Sequence, residues 1–190
     1  MYGAHEDPYV YPDTHILKNI ENIRDADVLA AFELEVVNVR SKFGVPTGKL
    51  DAAHYCQIHH HLFQDVYAWA GEYRSIRIAK GGNWFCFPEH IDTQMQTLFK
   101  ALADDNHLKN LQPKKFIKST AKLLADLNAI HPFRDGNGRT QLTFLSLLAN
   151  YAGHSVNLER LNPDKFLKAM IRSFADDIES LEIEIENILN

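Results

Sequence analysis

The 190-residue chain is short of cysteine, of clustered positive charge and of long apolar runs, and each shortage removes a class of protein. Cys56 and Cys86 are its only cysteines, and neither has a CxxC partner. Two thiols build no disulfide framework, so a reducing compartment is the expectation. Lys and Arg number 20 against 25 Asp and Glu, a net charge of −5, and no basic tract stands out. A nucleic-acid backbone is therefore not the expected partner. No apolar run is long enough to span a membrane, and Met1 to Pro12 lacks the charged start and apolar stretch of a signal peptide. What is present is a hydrophobic fraction of 45% and an aromatic fraction of 11%, enough for a substantial core.

Residues 1–13, with Pro8, Pro12 and three tyrosines, read as an extended arm, and 14–190 as a single domain. Leu29, Phe32, Val36 and Val39 recur at helical spacing after Asp25, a good N-cap, up to Gly44. A second helix is predicted from Asp51 to Ala70, capped by Gly71. Tyr73 to Phe87 changes period, turns at Gly81-Gly82-Asn83, and predicts one β-hairpin over 73–87. Helical stripes resume with Ile91, Met95, Leu98 and Leu102, and again from Pro113 to Ile130. Thr140 to Ala152 is apolar nearly all round and predicts a buried central helix ended by Gly153. Further helices are predicted within 164–189, where the acidic stretch Asp176–Glu186 alternates with Ile and Leu as a solvated helix face does. The fold class is mainly α: a helical bundle around a buried helix, with one hairpin flap.

The polar loop His131-Pro132-Phe133-Arg134-Asp135-Gly136-Asn137-Gly138-Arg139 lies between two apolar helices. Polar groups there are costly unless used. Gly136 and Gly138 are expected to allow positive φ and close ligand approach, just before a helix N-terminus that favours phosphate. Arg139 offers a bidentate donor, Asp135 a hard oxygen ligand for Mg²⁺, and His131 a base near neutral pH. Three consecutive histidines, His59 to His61, cannot converge on one ion from a helix, because successive side chains point about 100° apart. Cys86 has no evident base beside it and reads as a small apolar residue.

The loop matches H-x-F-x-[D/E]-G-N-G-R at every defined position, a chance event on the order of one in 10⁹ per window. The chain thereby resembles the Fic (filamentation) family. Ile58-His59-His60-His61-Leu62-Phe63 and Tyr67-Ala68-Trp69-Ala70-Gly71-Glu72-Tyr73-Arg74 resemble the family's helix leading into its flap. Tyr9-Val10-Tyr11-Pro12 resembles the arm of the antitoxin-paired branch, and the likeness covers about residues 9–160. The resemblance implies a protein adenylyltransferase that moves AMP from ATP to a Tyr, Thr or Ser hydroxyl. It implies His131 as base, Asp135 as Mg²⁺ ligand, and Gly136, Asn137, Gly138 and Arg139 as the nucleotide site. Phe133 would anchor the loop in the core. A target protein would dock along the flap at Ile78, Ala79 and Phe85, adding a strand to its edge.

Two departures from the family pattern bear on function. Leu142 stands where many members have a second Arg. It leaves open a different donor, phosphate transfer, or a weakly active binding module. Gly136 and Gly138 favour AMP over phosphate, since the kinase-like branch has Ala and Lys there. The inhibitory motif [S/T]-x-x-x-E-[G/N] is absent; Ser180 and Glu184 have the spacing, but Ile185 follows. Arg139 is accordingly expected to lack an internal carboxylate partner. The resemblance then implies a separate small antitoxin in a bacterial cytoplasm, or export into a host cell as an effector.

Overall fold

Asp25 opens the first helix as predicted. Its carboxylate accepts from the amides of Asp27 and Val28 and fixes the first turn of α1 (Ala26–Lys42). The computed structural model describes residues 7–80 and 82–190, so residues 1–6 of the arm and Gly81 of the predicted turn lie outside the described residues. The rest of the arm is folded back and not extended: Val10 bridges Leu17, and the Lys18 amide donates to the Tyr9 carbonyl at 2.7 Å.

Helix α2 (Ala52–Phe63), capped by Asp51, stops well before the predicted residue 70. The apolar stripe beyond it is buried by a turn instead. Gly71, at φ 87°, comes so near α2 that an added Cβ would stand 2.9 Å from the Cβ of His60. Tyr67 and Trp69 stack at 4.4 Å inside this turn.

The predicted hairpin is real but much shorter than 73–87. It comprises β1 (Ala79–Lys80) and β2 (Asn83–Trp84), paired antiparallel with Ala79 opposite Trp84. Its flanks are taken elsewhere. The amides of Arg74 and Cys86 donate to the carbonyls of Pro132 and Ala129, so they cannot extend the ladder.

Helices α3 (Pro88–Asp104), α4 (Pro113–Ile130) and α5 (Asn137–Ala152) form the centre with α2. Tyr55, Phe63, Phe116, Phe133 and Phe144 are fully buried between them. Helices α6 (Pro163–Arg172) and α7 (Glu179–Ile188) are separated by a break at which Asp176 takes φ 60°. α7 buries Leu181, Ile185 and Ile188 against α4 and α6. The effect of this packing is to place the α4–α5 connection at the mouth of a cavity.

Candidate active site

The α4–α5 loop borders a cavity of about 370 Å³. His131, Asp135, Gly136, Gly138 and Arg139 line its polar end, and Lys80, Asn83 and Phe85 of the hairpin region close over it. Leu142, Phe166, Met170 and Phe174 line the apolar end. The structure thus brings the predicted loop residues to one place, with two of the flap's residues that sequence reasoning had not singled out, Lys80 and Asn83.

His131 ends α4 in the left-handed region, φ 48° and ψ 64°, which is strained for a residue with a Cβ. Its amide donates to the Leu127 carbonyl at 2.9 Å. Phe85 stacks on the imidazole at 3.8 Å. Nδ1 is buried and faces the Asn128 carbonyl without a full hydrogen bond. Nε2 is left for the cavity. Burial, reinforced by the positive charges of Arg74 and Lys80, pushes the His131 pKa down to about 3. The imidazole is therefore neutral across the physiological range, with one ring nitrogen unprotonated, although a pKa this low makes it a weaker base than an exposed histidine.

Arg74 is the part sequence reasoning missed most clearly. Only 2% exposed, it donates to the carbonyls of Ile76, Cys86, Ile130 and His131 at 2.6 to 3.1 Å. It joins the last turn of α4 to both flanks of the hairpin. The carbonyl end of a helix is a favourable place for a cation. In the sequence Arg74 stands within the predicted hairpin and at the end of the stretch that resembles the family, where nothing marked it as a bonded cation.

His59 is likewise structural to the loop. Its Nδ1 accepts from the Gly71 amide at 2.8 Å, so its Nε2 carries the proton and donates to the Asp135 carbonyl at 3.0 Å. Burial pushes its pKa down to about 3 as well. His60 and His61 bond the carbonyls of Ala70 and Arg40. Three adjacent histidines thus address four different backbone groups.

Two expectations for the loop need correction. Gly136 has φ 79° and serves as N-cap of α5, but Gly138 lies inside the first helical turn with no positive φ. An added Cβ on Gly136 would stand 2.5 Å from the Phe63 ring, whereas one on Gly138 would meet nothing within 4 Å. Asn137 is 2% exposed, and its side chain closes the loop on itself: Oδ1 accepts from the Phe133 amide at 3.0 Å and Nδ2 donates to the Phe133 carbonyl at 2.8 Å. That side chain is thus committed to the loop itself. No side chain caps α5, which leaves the amides at its start open to an anion. Phe133 itself is fully buried, stacked on His59 at 3.8 Å and on Tyr55 at 5.7 Å, and anchors the loop.

Asp135 accepts from the Gly136 amide through Oδ1 at 2.5 Å and is half exposed, so its second oxygen is open to a ligand. Arg134 turns away from the cavity and pairs with Asp7 of the arm at 2.7 Å. Arg139 does have an internal carboxylate, contrary to expectation: its Nη2 donates to Glu33 Oε1 at 2.5 Å. The partner comes from α1, more than a hundred residues earlier in the chain, where no sequence pattern flagged it. Glu184 does not border the cavity. Phe85, proposed for target docking, is 5% exposed and presses on His131, and its amide donates to the Ile78 carbonyl. Its side chain is therefore not offered to a partner. Ala79 is exposed and Ile78 half-buried.

A buried neutral imidazole, an uncapped helix N-terminus and an arginine around one cavity suit phosphoryl or nucleotidyl transfer. The Fic/DOC family model matches residues 49–149, and the chain belongs to that family. It is 49% identical over 189 residues to a probable protein adenylyltransferase of Sinorhizobium fredii, covering 99% of this chain and 98% of that one. It is 34% identical over 176 residues to protein adenylyltransferase VbhT of Bartonella schoenbuchensis, covering 91% of this chain and 37% of that protein. Its fold superimposes at a TM-score of 0.90 on a translocated effector protein of Bartonella tribocorum with bound AMPPNP, at 27% identity and 96% coverage of both chains.

Proposed function

We propose that this protein is a protein adenylyltransferase: it transfers AMP from ATP to a Tyr, Thr or Ser hydroxyl of a target protein. The observation that carries the reading is a neutral, buried imidazole beside an uncapped helix N-terminus in one cavity. His131 Nε2 takes the proton of the incoming hydroxyl. The hydroxyl oxygen bonds to the α-phosphorus, the α–β bridging P–O bond breaks, and pyrophosphate leaves. The amides that open α5 and the Arg139 guanidinium hold the phosphates. Catalysis here is positioning and charge stabilisation, with little covalent work for the protein.

The half-exposed carboxylate of Asp135, with one oxygen uncommitted, suits Mg²⁺, which binds with one or two protein carboxylates plus substrate phosphates. When bound, Mg²⁺ would neutralise phosphate charge. The edge of β1 at Ala79, with Ile78 before it, is the proposed docking line for the target main chain. The regulatory partner is a small antitoxin whose helix brings a carboxylate to the cavity. The setting is a bacterial cytoplasm, or a host cell after export; the Bartonella tribocorum protein is a translocated effector. No helix among the described residues is long and apolar enough to cross a membrane.

The test is incubation with ATP labelled at the α or the γ position, with and without His131→Ala. Label from the α position on protein, lost by about 10² to 10⁴ in rate in the variant, is the expected result. Label from the γ position alone would make the protein a kinase. Undiminished transfer by His131→Ala would remove the imidazole from the mechanism.

A further inference from the structure

Arg139 does not project freely into the cavity. Its Nη2 is bound to Glu33 Oε1 at 2.5 Å, and its plane lies over the Phe63 ring, 4.6 Å from the centroid. Glu33 is itself fixed from the other side, since its Oε2 accepts from the Tyr67 hydroxyl. The Glu33 side chain is only 14% exposed. Burial and the neighbouring Glu33 raise the Tyr67 pKa well above its ordinary value, so that hydroxyl remains a donor. The nearest other carboxylate oxygen, Asp135 Oδ1, lies 4.0 Å from the same Nη2. Among the described residues, Arg139 Nε and Nη1 have no acceptor.

We propose that Glu33 is a positioning residue for Arg139. Tyr67 orients Glu33, Glu33 holds one corner of the guanidinium, and Phe63 supports its face. The uncommitted edge is thereby presented to the outer phosphates of the nucleotide. The proposal rests on the nucleotidyl-transfer reading and deepens it. A carboxylate beside an anion site lowers the net attraction for phosphate. In return the arginine is already ordered when the nucleotide arrives, and positional accuracy of this kind governs transfer rates. One engaged N–H of the five donors also leaves a fork free, which a device that blocks the arginine would not. The residue lies outside the stretch 49–149 matched by the family model, on the helix that precedes it.

Glu33→Asp tests this without changing charge, because it draws the carboxylate back by one methylene. Tyr67→Phe loosens the same carboxylate from the far side. The readout is the affinity for ATP relative to AMP, both titrated with Mg²⁺ by calorimetry, since only ATP has the outer phosphates. Glu33→Asp should lower that ratio about tenfold, the scale of one misplaced charge-assisted hydrogen bond. Tyr67→Phe should lower it less, and it carries the test if Glu33→Asp does not fold. In an Arg139→Ala background neither change should alter the ratio. An unchanged ratio, or an equal fall with and without Arg139, would overturn the proposal; so would a rise, which would make Glu33 a restraint. Wild-type protein that binds no ATP would overturn both this and the proposed function, whereas wild-type binding with an unaffected Glu33→Asp overturns this proposal alone.

Discussion

His131 and His59 are held neutral by burial, and the acid response of the protein follows from that. Each has a pKa near 3 when folded, against 6.5 as the ordinary value. As pH falls below about 6.5 the unfolded chain takes up protons that the folded one refuses, so stability is full above that value and declines toward pH 3. Thermal unfolding across this window should show the decline, and His59→Gln should flatten part of it. For transfer, kcat/KM reports the free enzyme, so it should show no acid limb from His131 between about pH 8 and pH 5. A limb centred near the ordinary histidine value would mean that the imidazole is open to water in solution. At Asp135 the expectation is different. Asp135→Ala should abolish the effect of Mg²⁺ on ATP binding while the fold persists, because the side chain is half exposed, hydrogen-bonds only its neighbour's amide and lies 4.0 Å from Arg139 Nη2. Calorimetry with and without Mg²⁺ decides it, and an undiminished metal effect would place the ion on other groups.

The start of α5 separates two glycines that look alike in sequence. Gly136 combines φ 79° with a Phe63 ring 2.5 Å from where a Cβ would stand. Gly136→Ala should therefore cost several kcal/mol by strain and overpacking, and should disturb the loop with it. Gly138 has open space around the same position. Gly138→Ala should leave the melting temperature nearly unchanged and weaken nucleotide binding, since its methyl would project into the space a phosphate needs. Equal losses of stability in the two variants would show that the open space at Gly138 is not there. The hairpin teaches a related lesson. Arg74 takes the carbonyls of Ile76 and Cys86, so the flanks of the hairpin are bonded to the end of α4 and the paired strands are two residues each.

For the molecule as a whole, α7 is a structural helix. It buries Leu181, Ile185 and Ile188, and its end is tied back by the Val156–Leu189 bridge. Burying side chains of this kind contributes about 1.5–3 kcal/mol each. Truncation before Ile178 should thus lower the melting temperature markedly and should not raise the transfer rate, because Glu184 does not border the cavity and Arg139 is already partnered by Glu33. A many-fold gain in rate from a folded truncation would identify α7 as a brake.

The sequence alone determined the helical class, the helix starts at Asp25, Asp51 and Pro113, and the nine-residue loop that borders the cavity. Those are local matters: capping residues, periodicity and an unbroken motif act within a few positions of one another. Only the tertiary structure decided how members of the motif are used: Asn137 lines the cavity but its side chain is bonded to the Phe133 main chain, and Gly138 needs no special backbone. It also supplied Glu33, His59 and Arg74, whose partners, apart from Ile76 beside Arg74, lie 12 to 106 residues away in the chain. Contacts at that separation depend on how the helices pack, and the spacing of residues along the chain holds no record of it.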